Sequence, residues 1–520
     1  MKDIKLPAFG EDDFSDNLVG AARVCVIRGA AEESFSRYEA YLSERGFSKC
    51  EERSTPCHLY AAFRGEGAVY MNYYHELREL YLVLEEDVSY FSFTDKGGEY
   101  DLSAQITQLD LEDFGMCYVI RLPDGRFIVI DGGQGFVPDQ RRLLACLKRG
   151  CPVGAPTIAA WILTHPHSDH FNCFVDFNKN YSSEVLIEKV FYNFPAADDL
   201  AHYPLLDYAD PRYDYDDSAT AYIPMMEEQI RLAGASVHTP HTGQVYKIGA
   251  ATLEILSSMD DTVHVTDNIN ATSTVIRMEL CGQVILWAAD AGFAYSRLVE
   301  KHGEYLKADI LQIPHHGFGC GDADAEIAGY KLIAPRVCLL PVSEADAFTI
   351  FCTHRVGARY LMTEADVDEI ITGSEGRTVT LPYTPAPRAK EELRRRFLHG
   401  LDNCGSTCWI FSDLHTANAE DFNFTLLNTA NATVTVWIEL FFEDPKRKIR
   451  SIKATVAPTS IKRLSIIGED VDPDALHFNW LSLKAQGIPE GVPFAARFRT
   501  STPIVISHKT HRAAYSAQNR

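Results

Sequence analysis

The chain has 520 residues, 46% of them hydrophobic and 23% charged, with a formal net charge of -23. Such a length exceeds one ordinary hydrophobic core and predicts two to four domains, and the composition is globular, with no long biased tract. The charge disfavours nucleic acid and anionic membrane surfaces as partners, because both are gripped through basic faces.

The start, Met1 to Pro7, lacks a continuous apolar run, and no later stretch approaches the ~18 apolar residues of a membrane span, so a cytoplasmic protein is expected. Thirteen cysteines without framework spacing point to reduced thiols, most of them buried. Cys404 and Cys408, the one close pair, read as structural.

Residues from about 20 to 85 read as a small α+β unit: apolar Val24 to Ile27, an amphipathic stretch from Glu32 to Arg45 with Gly46 as its C-cap, then alternating segments His58 to Phe63, Val69 to Tyr73 and Glu79 to Leu84. No chemistry is visible in this unit. Gln105 to Leu111 and Met116 to Leu122 alternate as strands, and Pro123-Asp124-Gly125-Arg126 turns the chain into apolar Phe127 to Ile130. From there β-rich and α-rich segments alternate to about Pro382, which predicts stacked α and β layers. Pro385 to Arg396 reads as a linker with a short helix. Beyond Cys408 the pattern is nearly pure β, with strands at Phe422 to Leu427, Thr433 to Phe442, Ile449 to Val456 and Ser460 to Ile466, which predicts a β-sandwich.

Chemistry concentrates where the apolar run Ile158 to Leu163 ends in Thr164-His165-Pro166-His167-Ser168-Asp169-His170. Alternation sends His165 and His167 to one side of an extended segment, and the turn after Pro166 brings Asp169 and His170 round from the start of the next element. Two imidazoles and an Asp-His pair within six residues can serve two neighbouring metals.

This run resembles the HxHxDH signature of the metallo-β-lactamase superfamily, and about Gln105 to Leu381 resembles its competence-protein ComEC-type branch. Asp131-Gly132-Gly133 matches the first motif, whose Asp orients the ligands. Val284 to Asp290 matches the strand that ends in a metal-bridging Asp, with Ala288-Ala289 where the branch has Thr-Gly. Ala308 to Gly317 matches the closing strand and its His315-His316-Gly317, which carries the last metal-binding histidine. After His170 the branch continues with an apolar residue and two glycines, whereas Phe171-Asn172-Cys173 makes a bulkier wall here. The third-motif histidine has no secure counterpart; His238 and His241 are candidates by position.

The resemblance implies an α/β fold: an αββα metallo-β-lactamase sandwich with a small N-terminal α+β domain and a C-terminal β-sandwich. The expected division is 1–102, 103–384 for the hydrolase domain, 385–403 for the linker and 404–520 for the sandwich. It implies two divalent metal ions, zinc ahead of manganese or iron, held by His165, His167, Asp169, His170, Asp290 and His315 or His316, with Asp169 and Asp131 catalytic. Asn172, Tyr213 and Tyr215 are candidates for binding substrate, the tyrosines within an acidic stretch read as a lid. The segment Trp409 to Arg512 resembles the sensory-rhodopsin-transducer-like β-sandwich family, in Leu426 to Thr429, Val436 to Asp444 and Thr502 to His508. That implies a ligand-binding or oligomerising module, with a homo-oligomer formed through it and with His508 and His511 outside the metal site.

The function expected is hydrolysis of a small phosphodiester or related ester, with a small-molecule substrate and neither nucleic acid nor membrane as partner. The competing readings are a lactonase or β-lactamase-like amide hydrolase, and a ligand-sensing module with an inactive hydrolase core.

Overall fold

The computed structural model describes residues 6, 13–19, 21–112, 115–195, 215–262, 269–319, 323–342, 347, 356–373, 376–385, 406–415, 420–442, 450–467, 479–482 and 493–512. The expected linker helix therefore lies outside the described residues. Two compact units divide the chain, one holding the first three sheets and the other the last sheet.

In the first unit an antiparallel N-terminal sheet runs in the order Asp13–Val19, Ala22–Arg28, Glu79–Glu85, Ala68–Tyr74, His58–Arg64, Ser48–Ser54. The helix Glu32–Glu44 ends at Arg45, and Gly46 follows at φ +83, the left-handed conformation that closes a helix. Phe35, Tyr38 and Leu42 of this helix form one apolar cluster with Cys25, Ile27, Met71 and Leu82 of the sheet. Alternation turns Val24, Tyr60, Tyr70 and Tyr81 the other way, into the main core.

That core lies between two further sheets. One is ordered Ser236–His238, Lys189–Phe191, Thr157–Ile162, Phe127–Asp131, Cys117–Arg121, Gln105–Gln108, Thr378–Thr380; the other runs Val245–Ile248, Ala251–Ser257, Val275–Leu280, Gln283–Trp287, Ile310–Gln312, Val337–Leu340, Glu369–Thr372. Ile106, Tyr118, Ile120 and Ile130 from the first meet Leu253, Ile276, Met278 and Trp287 from the second. Facing sheets of this kind pack about 10 Å apart. The outer side of the first is covered by the helices Val137–Gly150, Ser168–Tyr181 and Tyr215–Ala233, through Leu143, Phe171, Phe174, Phe177, Met226 and Ile230. Trp161 anchors that layer, edge-on to Phe174 at a centroid distance of 4.9 Å. The architecture is an α/β sandwich of αββα layers, with extra β structure at both ends of the chain.

The N-terminal sheet meets this sandwich through a polar seam. Asn72 donates from Nδ2 to the Thr242 carbonyl at 3.1 Å, and its Oδ1 lies 2.9 Å from His58 Nε2. Buried His241 bridges the two parts, with Nδ1 2.7 Å from Asp260 Oδ2 and Nε2 3.0 Å from Glu85 Oε2. Elsewhere along the seam Arg297 reaches Glu79 Oε2 at 2.6 Å.

In the second unit Ser406–His415, Glu420–Asn428, Val434–Phe442, Arg450–Val456, Ser460–Ile467 and Asn479–Ser482 gather round Pro493–Arg512. Pro493–Arg512 pairs with Val434–Phe442 through its first half and with Glu420–Asn428 through its second. Phe424, Leu426, Val436, Ile438, Leu440, Phe498 and Ile504 fill the space between. Among the described residues no helix is long and apolar enough to cross a membrane.

Gly243 sets the fit of the seam: it sits at φ +90, and a Cβ there would stand 2.1 Å from the Tyr60 ring. Gly243→Ala is expected to lose about 2–4 kcal/mol by overpacking and left-handed strain, read as a lower denaturant midpoint. An unchanged midpoint would show that the seam yields freely.

Candidate metal centre

The site is assembled where strands stop. Phe127–Asp131 ends on Asp131; Thr157–Ile162 runs on into Thr164 and His165; Gln283–Trp287 leads to Asp290, and Ile310–Gln312 to His315 and His316. The first two strands are parallel neighbours, and so are the last two, so their carboxyl ends open on one crevice. His167 is the N-cap of Ser168–Tyr181, whose first turn carries Asp169 and His170.

Among the described residues two groups of donors form, His165 with His167 and Asp290, and Asp169 with His170 and His316, the ligand atoms in each lying within 4.8 Å of one another. Asp290 Oδ2, of the first group, lies 3.8 Å from His165 Nε2 and also approaches the second, 3.3 Å from His170 Nε2 and 3.5 Å from His316 Nε2. Asp169 Oδ2 lies 3.1 Å from His316 Nε2 and 3.6 Å from His170 Nε2.

The other ring nitrogens settle how these imidazoles point. His170 donates from Nδ1 to Asp131 Oδ2 at 2.7 Å, and His316 from Nδ1 to the Pro341 carbonyl at 3.3 Å. Thr164 donates its hydroxyl proton to Asp131 Oδ2 at 2.7 Å, which leaves Thr164 Oγ1 to accept from His165 Nδ1 at 3.1 Å. With each Nδ1 proton bound by oxygen, Nε2 is the atom turned into the crevice, and it carries a lone pair only when the ring is neutral. As a result His170 Nε2 faces His316 Nε2 at 3.2 Å and His165 Nε2 faces His167 Nδ1 at 3.0 Å. Imidazole nitrogens and carboxylates gathered in this way could hold divalent metal, and the mixed donor set suits zinc, manganese or iron alike.

The titrations follow. Burial pulls the His170 imidazole down, but Asp290, Asp169 and Asp131 override it and hold it well above its ordinary value. His316 is pulled down by burial and carried up to about 9 by Asp290 and Asp169. Burial, with the charge of His170 adding to it, keeps His165 well below, and burial takes His167 down to about 4. Burial works to raise Asp169 and Asp290, yet His170 and His316 hold both low.

Four non-glycine residues of the crevice have left-handed backbones: Asp131 at φ +53, Ala289 at +46, His315 at +46 and His316 at +51. Each costs about 1–2 kcal/mol. Ala289 stands where the ComEC-type pattern has glycine, and its conformation is one that glycine favours. Hydrogen bonds fix these turns: Trp161 Nε1 donates to the Asp131 carbonyl at 3.0 Å, and the Ala289 amide donates to Gln312 Oε1 at 2.6 Å.

The remaining sequence candidates lie apart from the two groups. His315 donates from Nδ1 to the Gly319 carbonyl at 2.9 Å, and its Nε2 receives Asn270 Nδ2 at 3.2 Å. His238 Nε2 lies 3.2 Å from Ser236 Oγ, and its ring stacks on Phe191. His241 is held by Asp260 and Glu85. Asn172 is fully buried on Ser168–Tyr181, and neither atom of its amide has a hydrogen-bond partner among the described residues. Tyr213 lies outside the described residues, and Tyr215 opens the helix Tyr215–Ala233. His508 and His511 lie on Pro493–Arg512 in the other unit.

Sequence reasoning passed over the segment 269–274. Asn270 holds His315, Ser273 Oγ accepts the Asp290 amide at 3.3 Å, and the Thr274 amide donates to the Thr164 carbonyl at 3.0 Å. Its signal was a short Asn, Ser and Thr cluster just before an apolar strand.

Residues 111–250 match the family profile of the metallo-beta-lactamase superfamily, a span that holds Asp131 and the run His165 to His170. The match supports a metal-dependent hydrolase in general and agrees with the αββα layers. No curated protein matches the chain. Among solved structures the chain is similar to the Anabaena sensory rhodopsin transducer, at 21% identity over 20% of this chain and 88% of that one, with a TM-score of 0.15. A Thermotoga maritima protein, 1070, matches at 19% identity over 21% of this chain and 91% of its own, with a TM-score of 0.16. PfGH50B matches at 13% identity over 20% and 18% respectively, also at 0.16.

Asp131 touches Thr164 and His170 at once, so Asp131→Ala is expected to weaken divalent-metal binding about 10–100-fold, as measured by chelator competition, with the circular dichroism spectrum retained. Wild-type affinity in this variant would remove Asp131 from the orienting role.

Proposed function

We propose that the chain is a metal-dependent hydrolase of a small phosphodiester or related ester, of the ComEC-type branch. The observation that carries the reading is the convergence of three imidazole Nε2 atoms on the carboxylate of Asp290. A pair of divalent ions bound there supplies Lewis acidity and brings the pKa of water towards ~7. In this reading His165, His167 and Asp290 would hold one ion and Asp169, His170 and His316 the other.

The chain's own groups orient and neutralise. Asp131 holds His170 by Nδ1 and, through the Thr164 hydroxyl, His165, so neither ring turns its lone pair away. Asp169 is buried at the first turn of a helix, where backbone amide dipoles favour its anionic form. Asn172, one turn on, offers an uncommitted amide that suits the neutral oxygens of an ester as well as phosphoryl oxygens. A net charge of -23 supports a small substrate over long nucleic acid, whose backbone needs basic contacts. A homo-oligomer formed through the C-terminal sandwich completes the proposal.

The test is metal analysis of protein purified without added metal, with a screen of chromogenic phosphodiester, lactone and β-lactam substrates. Diester turnover is expected, and Asp169→Ala should abolish it, by about 100-fold or more, while the fold persists. Full activity in Asp169→Ala would sink the metal mechanism. Lactone or β-lactam turnover without diester turnover would move the assignment to the competing hydrolase reading, and metal-loaded protein that turns over none of the three would favour an inactive core.

A further inference from the structure

The triad of partly buried Glu85 and buried His241 and Asp260 lies outside the metal centre, and the proposed chemistry does not use it. Glu85 ends the last strand of the N-terminal sheet, His241 follows Ser236–His238, and Asp260 lies on the short turn Met259–Thr262. Around them, Tyr70 donates its hydroxyl to Glu85 Oε1 at 2.9 Å and stacks its ring on His241 at 5.3 Å. Ser258 donates to Asp260 Oδ2 at 2.8 Å, and Asn193 donates to the Pro240 carbonyl at 3.1 Å. Three sheets are thus tied at one imidazole.

The short turn carrying Asp260 packs beside the turn Ile269–Thr272. That second turn opens the segment 269–274, which grips the metal centre at three points: Asn270 on His315, Ser273 on the Asp290 amide and Thr274 on the Thr164 carbonyl. We propose that Glu85, His241 and Asp260 are positioning residues through which the N-terminal sheet sets the placement of segment 269–274 against the metal centre. The inference rests on the hydrolase reading for its consequence in turnover, and on geometry alone for its consequence in structure. An element that only glued the two parts together could be any ion pair along the seam; this one ends on the turn that abuts the gripping segment.

The experiment compares Glu85→Gln and His241→Gln with Glu79→Gln, which cuts the other charged tie across the seam, from Glu79 to Arg297. Thermal unfolding, hydrogen–deuterium exchange of peptides covering 269–274, zinc content and steady-state kinetics are measured on each full-length variant. Exchange in 269–274 should rise about tenfold in Glu85→Gln and His241→Gln. The turnover number should fall about tenfold with little change in KM and with zinc content retained. Glu79→Gln should lower the unfolding temperature comparably and leave exchange and turnover at wild-type values. The inference is overturned if the triad variants exchange or turn over as Glu79→Gln does. It is overturned as well if exchange rises and turnover of an active protein does not fall. Should the wild-type protein hydrolyse none of the substrates, the exchange comparison alone decides this inference, and the hydrolase reading fails separately. Glu85→Gln keeps the decision open where His241→Gln does not fold, because it keeps the side-chain size and removes only the charge.

Discussion

Three carboxylates, Asp131, Asp169 and Asp290, are buried in one crevice, at 0%, 7% and 2% exposure. An isolated buried carboxylate costs several kcal/mol, so such a cluster persists only where positive charge meets it at short range. The surrounding architecture serves that requirement. Parallel strands deliver the acids at their carboxyl ends, a helix start delivers Asp169, and imidazoles tethered by Nδ1 stand between the oxygens. With protons alone the crevice holds His170 and His316 charged against the acids. A cation pair meets the same demand and frees both rings as ligands.

How much of this was legible in the sequence depended on how local the geometry was. His165 to His170 could be read because strand alternation and a helix start act over six residues. Asp290 and the His315-His316 pair came only through the order of motifs, since nothing within a few residues of them says which face of a distant sheet they meet. The two histidines could not be told apart, being adjacent after one strand; successive left-handed residues turn His316 into the donor group and His315 towards Asn270. Segment 269–274 was passed over because Asn, Ser and Thr are ordinary loop residues until their partners are known. In the N-terminal sheet the strands from His58 to Glu85 fell within a residue or so of their observed bounds, yet alternation says only that Tyr60 and Tyr70 share a face, not that the sandwich sheets cover it.

The strained turns show the same division between local and global causes. Asp131, His315 and His316 carry chemistry or touch residues that do, so a glycine there would lose a needed side chain. Ala289 has no such duty; its left-handed turn is instead held by Gln312, whose side chain contacts both the Ala289 amide and its carbonyl. Local preference is overruled by a long-range hydrogen-bond pair, which a single-sequence reading weighs poorly.

Because the donor groups draw on the ends of both facing sheets, occupancy and folding are linked equilibria. An ion that binds only the folded chain adds RT ln(1 + [L]/Kd) to stability, about 4 kcal/mol when free ion is a thousandfold above Kd. Set against the 5–15 kcal/mol typical of a domain, that is a large share. The lifetime of this chain in a cell would then follow the cell's supply of free metal, and scarcity would show in the abundance of the polypeptide, through proteolysis, as well as in its chemistry.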